Sequence, residues 1–446
     1  VSRPLPRLTS WLVPSAAIAC ALAATGCAGS PTLRAAEQGH FEGLRDTLSA
    51  ELAQGSLRAG EATRFAHAVA KGEIARASGE EGVKRIRELE VCAKEIAGAL
   101  GDRADKRDAV GAAAALLRVE AGIDSPNARW ARIAPDAAEA PFRPLGARAL
   151  TGGDDGPLRR QLIADPDEEV RRNALHAALA SGDPADTEAV LDAARVDPYP
   201  AARTEAIRAA GALGSPRVVT ALKDLWPRAD ASVREAIVDA WGAPHTFDDG
   251  GRQQLAWVVD TQRGIPAINA ADILIRAGGP GAIEAAGALE HAIKDGPASN
   301  RMRAIEVAPF DVPTFREALA KAEADHDDAV AAAAMARRLQ APSKQGGAPS
   351  GSPEREAIVA KLLTIASGTG AGAVVARAAL ARAHVAQVVP ILEKNGAAKD
   401  TATRVEAGKD LAYAGDLGRA AVVAADPEPA VRLAVACAIL HPDAHP

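Results

Sequence analysis

Apolar positions recur three or four residues apart in short runs along much of this chain. The clearest are RNALHAALA (172–180), RTEAIRAAGALG (203–214), REAIVDAWG (234–242) and RLAVACAIL (432–440). That period places the apolar side chains on one face of a helix. Each run follows a polar start, proline-containing in three of the four: DPDEEVRR (165–172), DPYPAAR (197–203), RADASVR (228–234) and DPEPAVR (426–432). Between them lie second helical runs, DPADTEAVLDAAR (183–195) and SPRVVTALKDLW (215–226). Asp or Ser followed by Pro is a helix-start signal, and Gly182, Gly211 and Gly214 punctuate the turns. Each unit therefore reads as helix, short turn, helix. Arg171, Arg203 and Arg234 recur 32 and 31 residues apart, with Arg432 in a late copy. No run alternates with the period of a strand. The expectation is an all-α chain, an α-solenoid of stacked antiparallel helix pairs, because one pair cannot bury its apolar face alone.

This pattern resembles HEAT repeats, in particular the short HEAT-like type found in phycobilisome lyases. The resemblance rests on the Asp-Pro start, the Val/Ala-Arg pair and the Ala-rich inner face. It covers about 155–245 and 426–440 well. It is degenerate over 250–340, where ADHDDAVAAAAMARRL (324–339) keeps the pattern without the arginine in its place. It extends over 373–425 through VVARAALARA, VAQVVPILEK and DTATRVEAGKDLAYAG. What the resemblance implies is an extended surface that binds proteins or peptides.

The remaining segments divide the chain. Residues 31–124 read as a helical N-terminal domain or cap, whose first part (30–48) resembles a single ankyrin-type helix pair through Ala35-Ala36, Gly39 and Leu44. Helical stretches then follow at 60–77 and 80–104. Residues 125–339 read as the repeat array, 340–353 (QAPSKQGGAPSGSP) as a flexible linker by composition, and 354–446 as C-terminal repeats.

The N-terminus reads as an address. Arg3 and Arg7 precede a mostly apolar segment, Leu8 to Ala24, and small residues follow, which is the layout of a signal peptide over 1–26. Its end, Leu22-Ala23-Ala24-Thr25-Gly26-Cys27, resembles the lipobox of bacterial lipoproteins. That resemblance implies acylation of Cys27, a short tether at 27–30 and, with Ala28 after the cysteine, anchoring at the outer membrane of a bacterial envelope. A cleaved leader with a free Cys27, or an uncleaved anchor helix, are the alternatives. Pro14 and three Ser/Thr residues weigh against the anchor helix.

Composition narrows the function classes. Net charge is −6 and aromatics are 3% of the chain. A mixed, mildly acidic surface with few rings suits neither phosphate neutralisation nor base stacking, so nucleic acid is not an expected partner. Beyond Cys20 and Cys27, only Cys92 and Cys437 remain. An exported chain can pair them, although two separate buried thiols are the simpler reading.

Candidate chemistry is sparse. The carboxylates and arginines at 165–172 suggest an acid–base site until their echoes are counted. A catalytic residue is normally unique, whereas these recur. Asp165, Asp197 and Asp426 are expected before helices, accepting backbone N–H groups, and Arg171, Arg203, Arg234 and Arg432 to reach an aspartate of the adjacent copy in a structural ladder. His326 within DHDD, His245 before Asp248 and Asp249, and the pair His441 and His445 match no metal-ligand spacing. GGPG (278–281) and SGTGAG (367–372) lack the Lys-Ser/Thr of a phosphate loop and read as turns. Trp226 and Trp241 suit packing better than an exposed anchor. The expectation is a lipid-anchored scaffold that binds proteins, with no catalytic or metal residues, no cofactor and no evident small-molecule substrate. The alternatives are a HEAT-like lyase-type enzyme or enzyme accessory, and a structural envelope component without a defined ligand.

Overall fold

In a computed structural model, residues 30–310, 312–341 and 347–441 are described. The leader and Cys27 lie outside them, as does His445. The chain is an all-α solenoid of antiparallel helix pairs, with no strand among the described residues. No described helix is long and apolar enough to cross a membrane.

The N-terminal region holds α1 (Pro31–Glu37), α2 (Leu44–Ala53), α3 (Ala59–Arg76), α4 (Gly79–Arg87), α5 (Ala97–Ala104) and α6 (Ala109–Glu120). After two short 3-10 turns come α7 (Arg143–Arg148), α8 (Gly156–Ile163), α9 (Glu168–Ser181), α10 (Thr187–Val196), α11 (Pro200–Leu213), α12 (Pro216–Leu225) and α13 (Ala231–Gly242). A kinked connection leads to α14 (Arg252–Thr261), α15 (Ile265–Ala277), α16 (Ala282–Asp295), α17 (Ala298–Val307), α18 (Pro313–Ala322) and α19 (Asp328–Gln340). The last group is α20 (Pro353–Ala366), α21 (Ala371–Arg382), α22 (Val389–Asn395), α23 (Thr401–Tyr413), α24 (Leu417–Ala424) and α25 (Pro429–Leu440).

Local chemistry sets these boundaries. Asp167, Ser215, Asp230, Asp327 and Asp400 each cap a helix by accepting a backbone N–H of its first turn. Proline occupies the first turn of α11, α12, α18, α20 and α25, where its missing N–H costs nothing. Gly182 ends α9 at a φ of 62°, in the left-handed region that spares a glycine the Cβ clash.

One layer of the solenoid is stacked tightly because its contacts are made by Ala and Gly. A Cβ on Gly211 of α11 would sit 2.7 Å from the Ala240 Cα of α13, and one on Gly372 of α21 would sit 2.7 Å from the Asp328 Cβ of α19. The layer runs α7, α9, α11, α13, α15, α17, α19, α21, α23, α25, each packed on the next. Of residues 340–353, expected as a flexible linker, 342–346 lie outside the described residues. α19 packs on α21, Ala348 is buried and its N–H donates to the Arg338 carbonyl at 3.1 Å.

The stack then returns on itself. α25 packs on α3, α24 packs on α2 and α3, and α3 leads through α4 to α6, which packs on α7 at the start of the array. Residues 31–124, the helical N-terminal region, therefore pack on both ends of the array. The buried cores follow the same circuit. One spans Ala131 to Ala334, a second joins Ala36–Val69 to Ala331–Ile439, and a third joins Ala70–Leu117 to Leu433 and Cys437.

The expected helix over 80–104 is also corrected. It breaks after Arg87 into tight turns with a 3-10 segment at Glu90–Cys92 before α5 begins. Leu89, Cys92, Ala93 and Ile96 are all buried there, at a spacing that equally suits one helix face, so the sequence pattern carried no sign of the break. The turn brings Cys92 to Cys437, and the two form a disulfide with Cα atoms 5.1 Å apart. This replaces the reading of two separate thiols. Two cysteines 345 residues apart carry no local signal of pairing.

Candidate functional site

The recurrent arginines were the strongest chemical feature of the sequence. In Arg171, Nη1 donates to the Asp165 carbonyl six residues back at 2.7 Å, while Nε and Nη2 grip the Asp197 carboxylate of the next repeat at 2.7 and 3.1 Å. Asp197 in turn accepts the Tyr199 N–H at 2.9 Å, just before α11. Both side chains are buried. The neighbouring carboxylate holds the Arg171 guanidinium above its ordinary pKa. Arg404 makes the same arrangement with Asp426 at 2.8 and 3.1 Å, and Arg404 Nη1 donates to the Ala398 and Lys399 carbonyls. Asp426 and Asp165 likewise accept the N–H two residues on, from Glu428 and Asp167. Fixing one guanidinium to its own loop and to the next repeat sets the stacking register. The helix cap itself is a different residue, Asp167 in α9.

Three members depart from the expected ladder. Arg203 donates Nη1 to the Asp197 carbonyl at 2.8 Å but reaches an aspartate of the next copy, Asp230, only at 3.8 Å, because Arg228 stands where an aspartate would precede Arg234 by six residues. Arg234 meets no carboxylate among the described residues. Its Cζ lies 5.6 Å over the Trp226 ring, and Trp226 stacks on buried Trp241 and meets Trp257 edge-on. The tryptophan cluster takes the place of a rung. Arg432 pairs not with an aspartate of a following repeat but with Glu73 of α3. Sequence reasoning missed Arg143, Arg159, Arg301 and Arg404. They pair with Asp165, Asp186, Asp325 and Asp426 from loops without the Asp-Pro start.

With those groups consumed in packing, the remaining polar chemistry lies elsewhere on the tight layer. Positions two and five after the ladder arginine share one helix face. They carry Asn173 and His176 in α9, Glu205 and Arg208 in α11, Asp239 in α13 and Glu406 and Lys409 in α23. His176 Nδ1 lies 2.9 Å from Glu205, which also takes Arg208 at 3.4 Å. Burial works to raise the Glu205 pKa, but the His176 and Arg208 contacts outweigh it and hold the carboxyl low. Farther along, Arg303 bridges Asn269 at 3.0 Å and Glu306 at 2.8 Å. Burial pushes the Asp239 carboxyl up, against the charges of Arg208 and Arg303. The result is a mixed-charge stripe crossing successive repeats. Its signal was present as polar residues spaced three apart inside Ala-rich runs.

The other sequence candidates are dispersed. His326 is exposed beside Asp325 at 3.2 Å, His245 is exposed, and His441 Nδ1 meets Glu95 at 2.8 Å. Among the described residues, no three His, Cys, Asp or Glu side chains gather as a metal site. The glycines of 278–281, and Gly368 and Gly370, form turns between helices, while Gly372 lies within α21.

Residues 157–242 match the HEAT repeats family model. No curated protein matches the chain. Among solved structures, the chain is similar to human deoxyhypusine hydroxylase in complex with glycerol. That match has 17% identity and a TM-score of 0.23, covering 64% of this chain and 93% of that one. It is also similar to an engineered protein, at 18% identity and a TM-score of 0.28, covering 75% of this chain and 98% of that one.

Proposed function

We propose that this chain is a non-catalytic scaffold of the bacterial envelope, held to the membrane by acylated Cys27 and binding other proteins through its solenoid surface. One observation carries the reading. The recurring arginines and aspartates are mostly spent in buried pairs between repeats, and what the repeats leave partly or fully exposed is a mixed-charge stripe of His176, Arg208, Asp239, Glu406 and Lys409. A surface of that kind offers many weak polar contacts over a large area, which suits a protein partner. The Cys92–Cys437 disulfide supports export, since such bonds persist in oxidising compartments. Two acyl chains or more at Cys27 give a durable anchor, at about 0.8 kcal/mol per buried CH₂.

Two measurements test this. Mass spectrometry of the mature N-terminal peptide is expected to find acylated Cys27; an unmodified cysteine removes the membrane anchor. A photo-crosslinking residue at Arg208 or Asp239, introduced in intact cells, is expected to trap one defined protein. If neither position yields a product, the protein-binding reading of the stripe fails.

A further inference from the structure

A second feature lies at the join between the N-terminal region and the array. α6 and α9 both pack on α7, and the space between them is a cleft of 320 Å³. α6 presents Ala113, Leu116, Leu117 and Glu120 to it, and α9 presents Glu169, Arg172, Asn173 and His176, each set on one helix face. Arg148 ends α7 at the same cavity, and Arg87 and Glu90 complete the lining.

Several of these charges are already satisfied. Glu169 takes Arg87 in a close contact and Arg172 at 3.9 Å, and His176 is bound to Glu205. Others are not. Arg148 Nη1 and Arg172 Nε are shielded from solvent without a hydrogen-bond partner. Asn173 is only 4% exposed; its amide nitrogen donates to the Glu169 carbonyl at 2.9 Å, while its Oδ1 has no partner. A buried polar atom left unpaired costs about 1–3 kcal/mol. Three of them converge on residues of one cleft, which is unusual for a surface that only packs.

We propose that this cleft binds a small zwitterion, an α-amino acid with an apolar side chain. The unpartnered donors of Arg148 and Arg172 suit a carboxylate. The Asn173 Oδ1 acceptor, with the Glu120 and Glu90 carboxylates, suits an ammonium. Ala113, Leu116 and Leu117 form an apolar wall for the side chain. A simple anion would meet Glu90 and Glu120, and a simple cation would meet Arg148, so neither charge alone is matched. Burial raises the Glu120 pKa while the Arg148 charge lowers it, as expected for opposite charges facing one space. The cleft shares Asn173 and His176 with the stripe, but leucine binding and protein crosslinking are read separately, so each reading can fail without the other.

Isothermal titration calorimetry on the full exported chain tests the proposal, with L-leucine, 4-methylpentanoate, which lacks the ammonium, and 3-methylbutylamine, which lacks the carboxylate. L-leucine is expected to bind saturably at one site, with each half-molecule weaker by at least about tenfold. Arg148→Gln and Glu120→Gln are each expected to weaken leucine at least about tenfold with helicity retained by circular dichroism. Neither side chain is paired in the fold, so both variants keep their packing. Arg217→Gln, an exposed residue of α12 outside both the cleft and the stripe, leaves binding unchanged. Absence of saturable leucine binding up to about 10 mM overturns the proposal, as does a half-molecule that binds as tightly as leucine, or leucine binding indifferent to Arg148→Gln.

Discussion

Arg432, in the last helix, donates Nε to the Glu73 carboxylate of α3 at 2.7 Å, although 359 residues separate them. The same arginine donates Nη1 to the Asp426 and Pro427 carbonyls at 2.6 and 2.7 Å, as Arg171 does to Asp165 and Pro166. Both Arg432 and Glu73 are buried. The pair is thus a repeat rung whose acceptor has been supplied by the N-terminal region. A stack of repeats normally exposes its final face. Here α3 covers that face, and the disulfide at Cys437 lies one helical turn beyond Arg432.

The rungs are structural, so their removal should appear in stability. Arg171→Ala leaves the Asp197 carboxylate buried without its fork and is expected to cost about 3–5 kcal/mol in urea unfolding. Replacing both partners by apolar residues, Arg171→Met with Asp197→Leu, is expected to cost much less, because no unpaired charge remains. An Arg171→Ala protein as stable as the parent would count against the ladder.

Stability should also depend on pH through Asp410. This carboxyl is buried in α23, and its pKa is pushed up to about 7. Burial is the main cause, with Glu406 adding to it and Arg382, Arg377 and Lys409 opposing. The folded state therefore prefers the neutral acid more than the unfolded chain does. The stabilisation is fully present below the unfolded pKa near 4 and is lost as pH rises through 7, by up to about 4 kcal/mol. Asp410→Asn is expected to stabilise the protein at pH 8 relative to the parent and to gain little at pH 5. Equal effects at the two values would show that Asp410 ionises normally.

The disulfide should contribute independently of the rung. Cys92→Ser with Cys437→Ser is expected to lower unfolding stability by about 2–4 kcal/mol. A non-reduced digest of the exported protein is expected to contain the two cysteine peptides joined. Finding them separate would contradict the pairing.

The tight layer predicts a steric effect. Gly211→Val drives side-chain atoms into the Ala240 backbone of α13, and overpacking of this kind costs about 1–3 kcal/mol. Thermal unfolding reads the loss, and an unchanged midpoint would mean that α11 and α13 are not held this closely.

What the sequence made legible was local. Asp-Pro starts, capping aspartates and the phase of Arg171, Arg203 and Arg234 lie within single repeats, so periodicity finds them. Rungs supplied by another part of the chain leave no such trace. Nothing around Glu73, in a run of small helix-forming residues, marks it as the partner of Arg432. Arg143 and Arg404 were overlooked because the DP signature is missing six residues before each, although their guanidinium groups grip Asp165 and Asp426. The absence of an aspartate at Arg228 was visible, but its consequence was not, because the Trp226, Trp241 and Trp257 rings that fill the gap come from three different helical segments. The stripe of Asn173, His176, Glu205, Arg208 and Asp239 was readable in principle, as polar positions that Ala-rich packing does not require. The cleft was not, since α6 and α9 meet only through α7.

The closed circuit of helices is tested most directly by a double-mutant cycle on Glu73→Gln and Arg432→Met, followed by urea unfolding with the disulfide reduced. If the N-terminal region supplies the last rung, the two residues are coupled by at least about 1.5 kcal/mol, similar to the coupling between Arg171 and Asp197. Additive effects within about 0.5 kcal/mol would mean that the ends do not meet and that the solenoid is open.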